Sequence, residues 1–177
     1  MPTSELDRQH MQTALRLASR GQGFVEPNPM VGCVIAVGDR IVSEGWHQRF
    51  GDHHAEVNAI NAADGADLGE ATMYVTLEPC SHCGKTPPCT AAVIDCGVRR
   101  VVVAQKDPFP AVSGNGIQQL TDAGIEVVVG VLESEAQAIT APYLKRVTTG
   151  RPWVLAKWAM TLAVSYTHLT LPTICSV

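Results

Sequence analysis

The sequence predicts an α/β fold with helices covering both faces of a sheet. Two observations predict it. From residue 100 onward, short Val-rich runs alternate with helical patterns: a strand over 100–105, a helix over 116–123, a strand over 125–129 and a helix over 134–146. Strands alternating with helices imply parallel crossovers, whose helices pack on the two faces of the sheet. Upstream, residues 30–37 are continuously apolar and rich in Val and Ile, as a strand buried on both faces would be. Gly38 and Asp39 then turn the chain back, so that 41–46 forms the second strand of a hairpin. With 177 residues, 46 % of them hydrophobic, the chain can fill one core and is no disordered tail.

The elements follow in order. Residues 4–20 predict a helix: Ser4 can cap it, Asp7 sits three positions on, and Leu6, Met11, Ala14, Leu15 and Ala18 fall near helical spacing before Gly21. Asn28 lies between Pro27 and Pro29, in a fixed extended loop at the mouth of the first strand. There it can serve as a turn-former or as an amide that contacts a ligand. Cys33, inside that strand, reads as a small buried hydrophobe. A helix starts near His54, with Asp52 as its expected cap and an apolar side made by Ala55, Ala59, Ile60 and Ala63. Residues 72–77 predict a strand that delivers Glu78-Pro79-Cys80 at its C-terminal end, where ligands bind in open α/β sheets. Thr86 and Pro87 are expected to start a helix over 89–96, with Cys89 in its first turn and its thiol made more acidic there. Backbone amides near Ser113-Gly114-Asn115-Gly116 could hold a phosphate, although an ordinary glycine turn accounts for the same residues. Gly150-Arg151-Pro152 reads as a boundary and 153–159 as a new strand. Residues 165–177 continue no earlier pattern and carry no charge; they read as a non-native or misread tail, outside the fold.

The chemistry concentrates in two places. Residues 76–90 hold three thiols, an imidazole and a lysine, and His54-Ala55-Glu56 lies upstream. One imidazole and two thiolates suit zinc in a site that keeps a position for water. A glutamate beside that water, not bound to the metal, is what hydrolytic chemistry needs. Helix residues two apart do not share a face, so His54 and Glu56 can meet in one site only off the helix end. Cys80 is the firmest thiol. For its partner the residues leave a choice: Cys83 by the common C-x-x-C spacing, or Cys89 by its place at a helix start. A closed structural site using His54, Cys80, Cys83 and Cys89 would leave Glu56 idle.

His54-Ala55-Glu56, Glu78-Pro79-Cys80-Ser81-His82 and Gly84-Lys85-Thr86-Pro87-Pro88-Cys89 together resemble the pyrimidine deaminases of riboflavin biosynthesis, which share the H-x-E…P-C signature of zinc deaminases. These form the N-terminal half of a bifunctional deaminase-reductase. The resemblance covers roughly the first 150 to 160 positions, and the G-K-T-P-P-C segment is its most specific part. It implies a three-layer α/β/α cytidine-deaminase-like fold with a mixed five-stranded sheet. It implies one Zn2+ per chain on His54, Cys80 and Cys89, with Glu56 as the catalytic proton carrier. Substrate contacts then fall on Asn28, His47, His82 and Lys85. The implied substrate is a diaminohydroxyphosphoribosylaminopyrimidine, deaminated to the phosphoribosylaminouracil with loss of ammonia. The chain departs from the family at Phe109, where Asn is common in the D-P-x-P loop that helps hold the phosphoribosyl part. It also departs in length. Residues 1–150 correspond to the deaminase, and 151–164 to the start of a reductase whose NADP site belongs to the missing remainder. Such a chain is expected to lack the reduction step.

Other partners fit less well. A net charge of -4 argues against a nucleic-acid surface, and no apolar run approaches bilayer length. The N-terminus lacks a secretory pattern, so a cytoplasmic location is expected, with the six cysteines serving as ligands and core fillers rather than disulfides. Self-association as a homo-oligomer follows from the resemblance. The rival readings are a tRNA adenosine or cytosine deaminase, a free nucleobase deaminase, and a non-catalytic zinc-binding scaffold. The ligand assignment has a direct test in metal content: Cys89→Ser should abolish zinc retention and Cys83→Ser should preserve it.

Overall fold

A computed structural model of the chain describes residues 4–81, 87–109 and 113–157. Helix α1 (Glu5–Ala18) precedes strands β1 (Gly32–Val37) and β2 (Arg40–Trp46). Helix α2 (Ala55–Ala62), strand β3 (Thr72–Val75), helix α3 (Cys89–Asp95) and strand β4 (Arg100–Val103) follow. Helix α4 (Asn115–Asp122), strand β5 (Glu126–Val129) and helix α5 (Glu133–Thr149) complete the order. The five strands form one mixed sheet in the order β2-β1-β3-β4-β5. β1 pairs antiparallel with β2 and β3, whereas β3, β4 and β5 run parallel.

The alternation of side chains along each strand divides the core in two. Cys33, Ile35, Met73, Val75, Val101 and Val103 face α2, α3 and α4. Val34, Ala36, Tyr74 and Val102 face α1 and the start of α5. Three layers result, as the alternating pattern of the sequence implies. The outer layers sit close. A Cβ on Gly32 would strike the carbonyl of Ala14 in α1, and one on Gly45 would strike the Ala55 carbonyl and Ala59 amide of α2. Two glycines in the hairpin thus let both helices pack backbone to backbone on the sheet.

Several boundaries differ from the sequence reading. β3 and β4 end two residues early, because the chain bends at Thr76, whose Oγ1 accepts the Gly32 N–H. Irregular bonds continue past that bend: Ala104 donates to the Val75 carbonyl, and Glu78 to that of Gln105. His54, not Asp52, is the N-cap of α2, and it makes no side-chain capping bond. α3 starts at Cys89 with Pro88 as its N-cap, two positions later than a Thr86 cap would place its first residue, and Thr86 itself lies outside the described residues. α5 runs through Pro142 and one turn beyond residue 146, to a left-handed Gly150 whose N–H reaches the Arg146 carbonyl. Residues 151–157 form no strand, and the tail at 165–177 lies outside the described residues. Among the described residues, no helix is long and apolar enough to cross a membrane.

α1 is tied down by charge as well as packing. Ser4 and Asp7 form the expected capping box. The Asp7 carboxylate is also buried and accepts two bonds from the Arg100 guanidinium, at 2.7 and 3.0 Å, and one from the Tyr74 hydroxyl at 3.1 Å. Arg100 holds the Asp7 carboxyl well below the usual carboxylate range, outweighing the opposite pull of burial. A lowered folded pKa gives stability that is complete above the unfolded value, near pH 4, and lost as the pH falls toward the folded one. Asp7→Asn should cost about 3 kcal/mol in urea unfolding at neutral pH. The variant should then lose less stability than the parent chain between about pH 5 and pH 2.

Candidate active site

Three elements meet at the C-terminal end of β3. α2 begins there with His54 as its N-cap and Glu56 in its first turn. The loop leaving β3 carries Glu78, Pro79 and Cys80, and α3 opens with Cys89. His54 Nδ1 lies 3.2 Å from Cys89 Sγ and 3.6 Å from Cys80 Sγ. The three ligand atoms all lie within 4.8 Å of one another. A tetrahedral zinc with ordinary bond lengths needs N···S and S···S separations of about 3.6 and 3.8 Å, so this donor set fits the ion.

The electrostatics of the triad point the same way. Cys80 Sγ accepts the backbone N–H of Cys89 at 3.4 Å. The Cys89 thiol, that N–H and His54 all favour the Cys80 thiolate, whose pKa is lowered. Cys89 is pushed the other way, first by the Cys80 sulfur and then by burial. The expectation that the helix start would acidify Cys89 is therefore reversed: the N–H at the start of α3 points at Cys80. Alone, the pair readily carries one negative charge, and a divalent cation is what would bring the second.

Glu56 is buried, 3 % exposed. Burial raises its pKa, while the His54 charge opposes the rise. Cys80 first of all raises the pKa of His54. A carboxyl group whose proton is retained closer to neutrality can both accept and return one.

The triad opens into a cavity of about 340 Å3 whose lining includes Asn28, His47, His54, Glu56, Cys80 and Asp107. His47 Nδ1 donates to the His53 carbonyl at 3.0 Å, so its Nε2 accepts from the Asn28 amide at 3.3 Å. Burial lowers the His47 pKa, which favours this neutral form. The two expected contact residues thus form one hydrogen-bonded unit in the lining of the cavity. His82, Cys83 and Lys85 lie outside the described residues.

Sequence reasoning missed two groups. Glu78, 3 % exposed, accepts four backbone N–H bonds. Asp107 and Gly114 donate to its Oε2 at 3.2 and 3.0 Å, Gly116 and Ile117 to its Oε1 at 2.9 and 3.3 Å. The amides at the start of α4, weighed above as a phosphate cradle, are taken by the chain's own carboxylate. A Cβ on Gly116 would strike the Pro79 carbonyl, so the two loops touch directly. The other group is Tyr143 on α5, whose hydroxyl donates to the Asp107 carboxylate at 2.9 and 3.1 Å. The sequence placed Glu78 at the end of a strand and in the family motif, but gave no sign that it caps the glycine-rich start of α4.

Residues 4–105 match the family model described as the cytidine and deoxycytidylate deaminase zinc-binding region. The chain belongs to the cytidine and deoxycytidylate deaminase family. Within it, the chain belongs among the RibD deaminases. It is 45 % identical over 146 residues to the diaminohydroxyphosphoribosylamino-pyrimidine deaminase of Buchnera aphidicola subsp. Schizaphis graminum, a match covering 82 % of this chain and 99 % of that protein. It is 47 % identical over 166 residues to the riboflavin biosynthesis protein RibD of Aquifex aeolicus, covering 94 % of this chain and 46 % of that one. The solved deaminase/reductase of Thermotoga maritima superposes with a TM-score of 0.84 at 46 % identity, over 89 % of this chain and 46 % of its own. The chain thus spans about half the length of these two-part relatives. This family of zinc-binding deaminases has the three-layer fold and mixed sheet described above.

Glu78→Gln would set an amide NH2 against buried N–H donors. The variant should lose about 2 kcal/mol in urea unfolding, since buried donors left without acceptors keep their desolvation cost.

Proposed function

We propose that this chain is the deaminase part of a RibD-type enzyme, converting a diaminohydroxyphosphoribosylaminopyrimidine to 5-amino-6-(5-phosphoribosylamino)uracil, the compound named in the Thermotoga relative's reductase activity. The observation that carries this reading is the convergence of His54, Cys80 and Cys89 within 4.8 Å beside a buried glutamate. Bound zinc would activate water as a nucleophile near neutral pH. His54, Cys80 and Cys89 would hold the ion, one per chain.

Glu56 does the proton work. It takes a proton from the attacking water and delivers it to the ring nitrogen next to the reacting carbon. It then takes the remaining proton from the hydroxyl added to the carbon and passes it to the amine, which leaves as NH3 while the C=O forms, so that C–NH2 and H2O become C=O and NH3. Asn28, oriented by His47, is placed to hydrogen-bond the ring, and His82 and Lys85 complete the substrate contacts. Residues 1–150 make up the deaminase domain, and 151–164 open a reductase domain to which any NADP requirement belongs. A cytoplasmic location, the absence of nucleic-acid and membrane partners, and self-association complete the reading.

The test is ammonia release from the phosphoribosylaminopyrimidine by the zinc-loaded chain. Glu56→Gln should lower the rate by about 10²–10⁴-fold, the usual contribution of a general acid–base, while zinc content stays unchanged. Equal rates in the two proteins would remove Glu56 from the mechanism.

A further inference from the structure

The cavity has two ends of different chemistry. Its metal end is built by α2 and the loop after β3. Its other wall is α5, through Tyr143, Arg146 and Val147. α5 begins in the α1 layer, where Ala136 packs, but Tyr143 packs against the opposite core cluster. The later turns of α5 therefore close off the end of the sheet and face the cavity. A second cavity of about 250 Å3 shares Asn28, Pro29, Tyr143 and Arg146 with the first. Arg146 stands where the two meet.

Acidic groups outnumber cationic ones in the lining. The acidic groups lining the first cavity are Asp52, Glu56, Glu78 and Asp107, and its imidazoles are His47 and His54. Among the described lining residues, Arg146 is the one lysine or arginine. Its Nη2 donates to the Pro27 carbonyl at 3.0 Å, which holds the guanidinium against the loop bearing Asn28. A guanidinium carries five N–H donors in a planar fork, so one such bond leaves donors for an oxyanion. The alternative anion site, the start of α4, is filled by the Glu78 carboxylate. The Asp107 carboxylate, on the same side as α5, accepts from the Tyr143 hydroxyl.

We propose that Arg146 is a specificity-determining residue that holds the phosphomonoester end of the substrate, with the ring lying at His54 and Glu56. This rests on the deaminase reading above and adds to it the direction in which the substrate lies. The ring enters the acidic, buried end. The sugar passes Asn28, and the dianion reaches the cationic junction on α5.

The test uses the zinc-loaded chain with Arg146→Gln and Arg146→Lys, and two substrates: the phosphoribosylaminopyrimidine and its dephosphorylated counterpart. Arg146→Gln should raise KM for the phosphorylated substrate about tenfold or more, as expected for losing a charge-assisted bond. Its kcat should stay within about twofold, and the dephosphorylated substrate should be unaffected. Arg146→Lys should restore part of the loss, because it keeps the charge without the fork. An unchanged KM, or an equal rise for both substrates, overturns the proposal. Calorimetry with ribose 5-phosphate and with ribose separates this from the activity itself. If the parent chain releases no ammonia, the deaminase reading fails. Weaker ribose 5-phosphate binding by Arg146→Gln would still support the phosphate assignment, and equal binding by both proteins would sink it.

Discussion

The Glu78 carboxylate joins the parts of this structure that have to stay in register. Each of its oxygens accepts two backbone N–H groups, all from the segment between β4 and the first turn of α4. Two residues further on, Cys80 sits against the start of α3. The loop that carries Cys80, a candidate metal ligand, and the loop that carries Asp107 are therefore fastened through one buried side chain. The negative charge suits the helix start it occupies, and a neutral residue of the same size would leave donors unmet. Where many glycine-rich helix starts receive a ligand's phosphate, this one is closed from within by the chain's own carboxylate.

Around that fastening, the sheet provides depth and the helix starts provide direction. Because β3 and β4 are parallel, α3 and the β4–α4 loop both open at the same end of the sheet. α2 reaches that end from the hairpin side, with its backbone seated on Gly45. His54 as N-cap and Glu56 in the first turn can then face one point although they are two residues apart. The buried carboxyl and the sulfur pair lie within a few ångströms of each other, so charge on one alters the proton affinity of the others. Such coupling is common where groups trade protons during a reaction.

Much of this was legible in the sequence, for local reasons. The capping box at Ser4 and Asp7, the Gly38-Asp39 turn and the alternation after residue 100 all depend on short-range spacing, whereas spacing left Cys83 and Cys89 open and the family resemblance chose Cys89 to join His54, Glu56 and Cys80. What spacing does not carry was missed. Asp7 reads as a cap, yet its buried carboxylate is held by Arg100, 93 positions away. Tyr143 and Asp107 meet across 36 positions, and nothing near either announces the other. Glu78 reads as the first residue past a strand, while its bonds lie 29 to 39 positions downstream. The expected acidity of Cys89 was reversed because the N–H at the start of α3 points at Cys80 instead, and the sequence does not contain that direction. The expected strand after residue 152 rested on an apolar run alone; in the structure Val154 and Leu155 are exposed and unpaired with the sheet.

The seating of α2 on Gly45 has a consequence for altering substrate scope. A single methyl group at position 45 would collide with three main-chain atoms of the helix that carries Glu56, so redesign from that side would displace His54 and Glu56 along with the wall. Phe50 and Phe109, both partly exposed at the mouth, are borne by loops that can change side chain without moving a helix. Directed evolution toward bulkier heterocycles would accordingly find its tolerated changes at the rim, while the floor stays invariant.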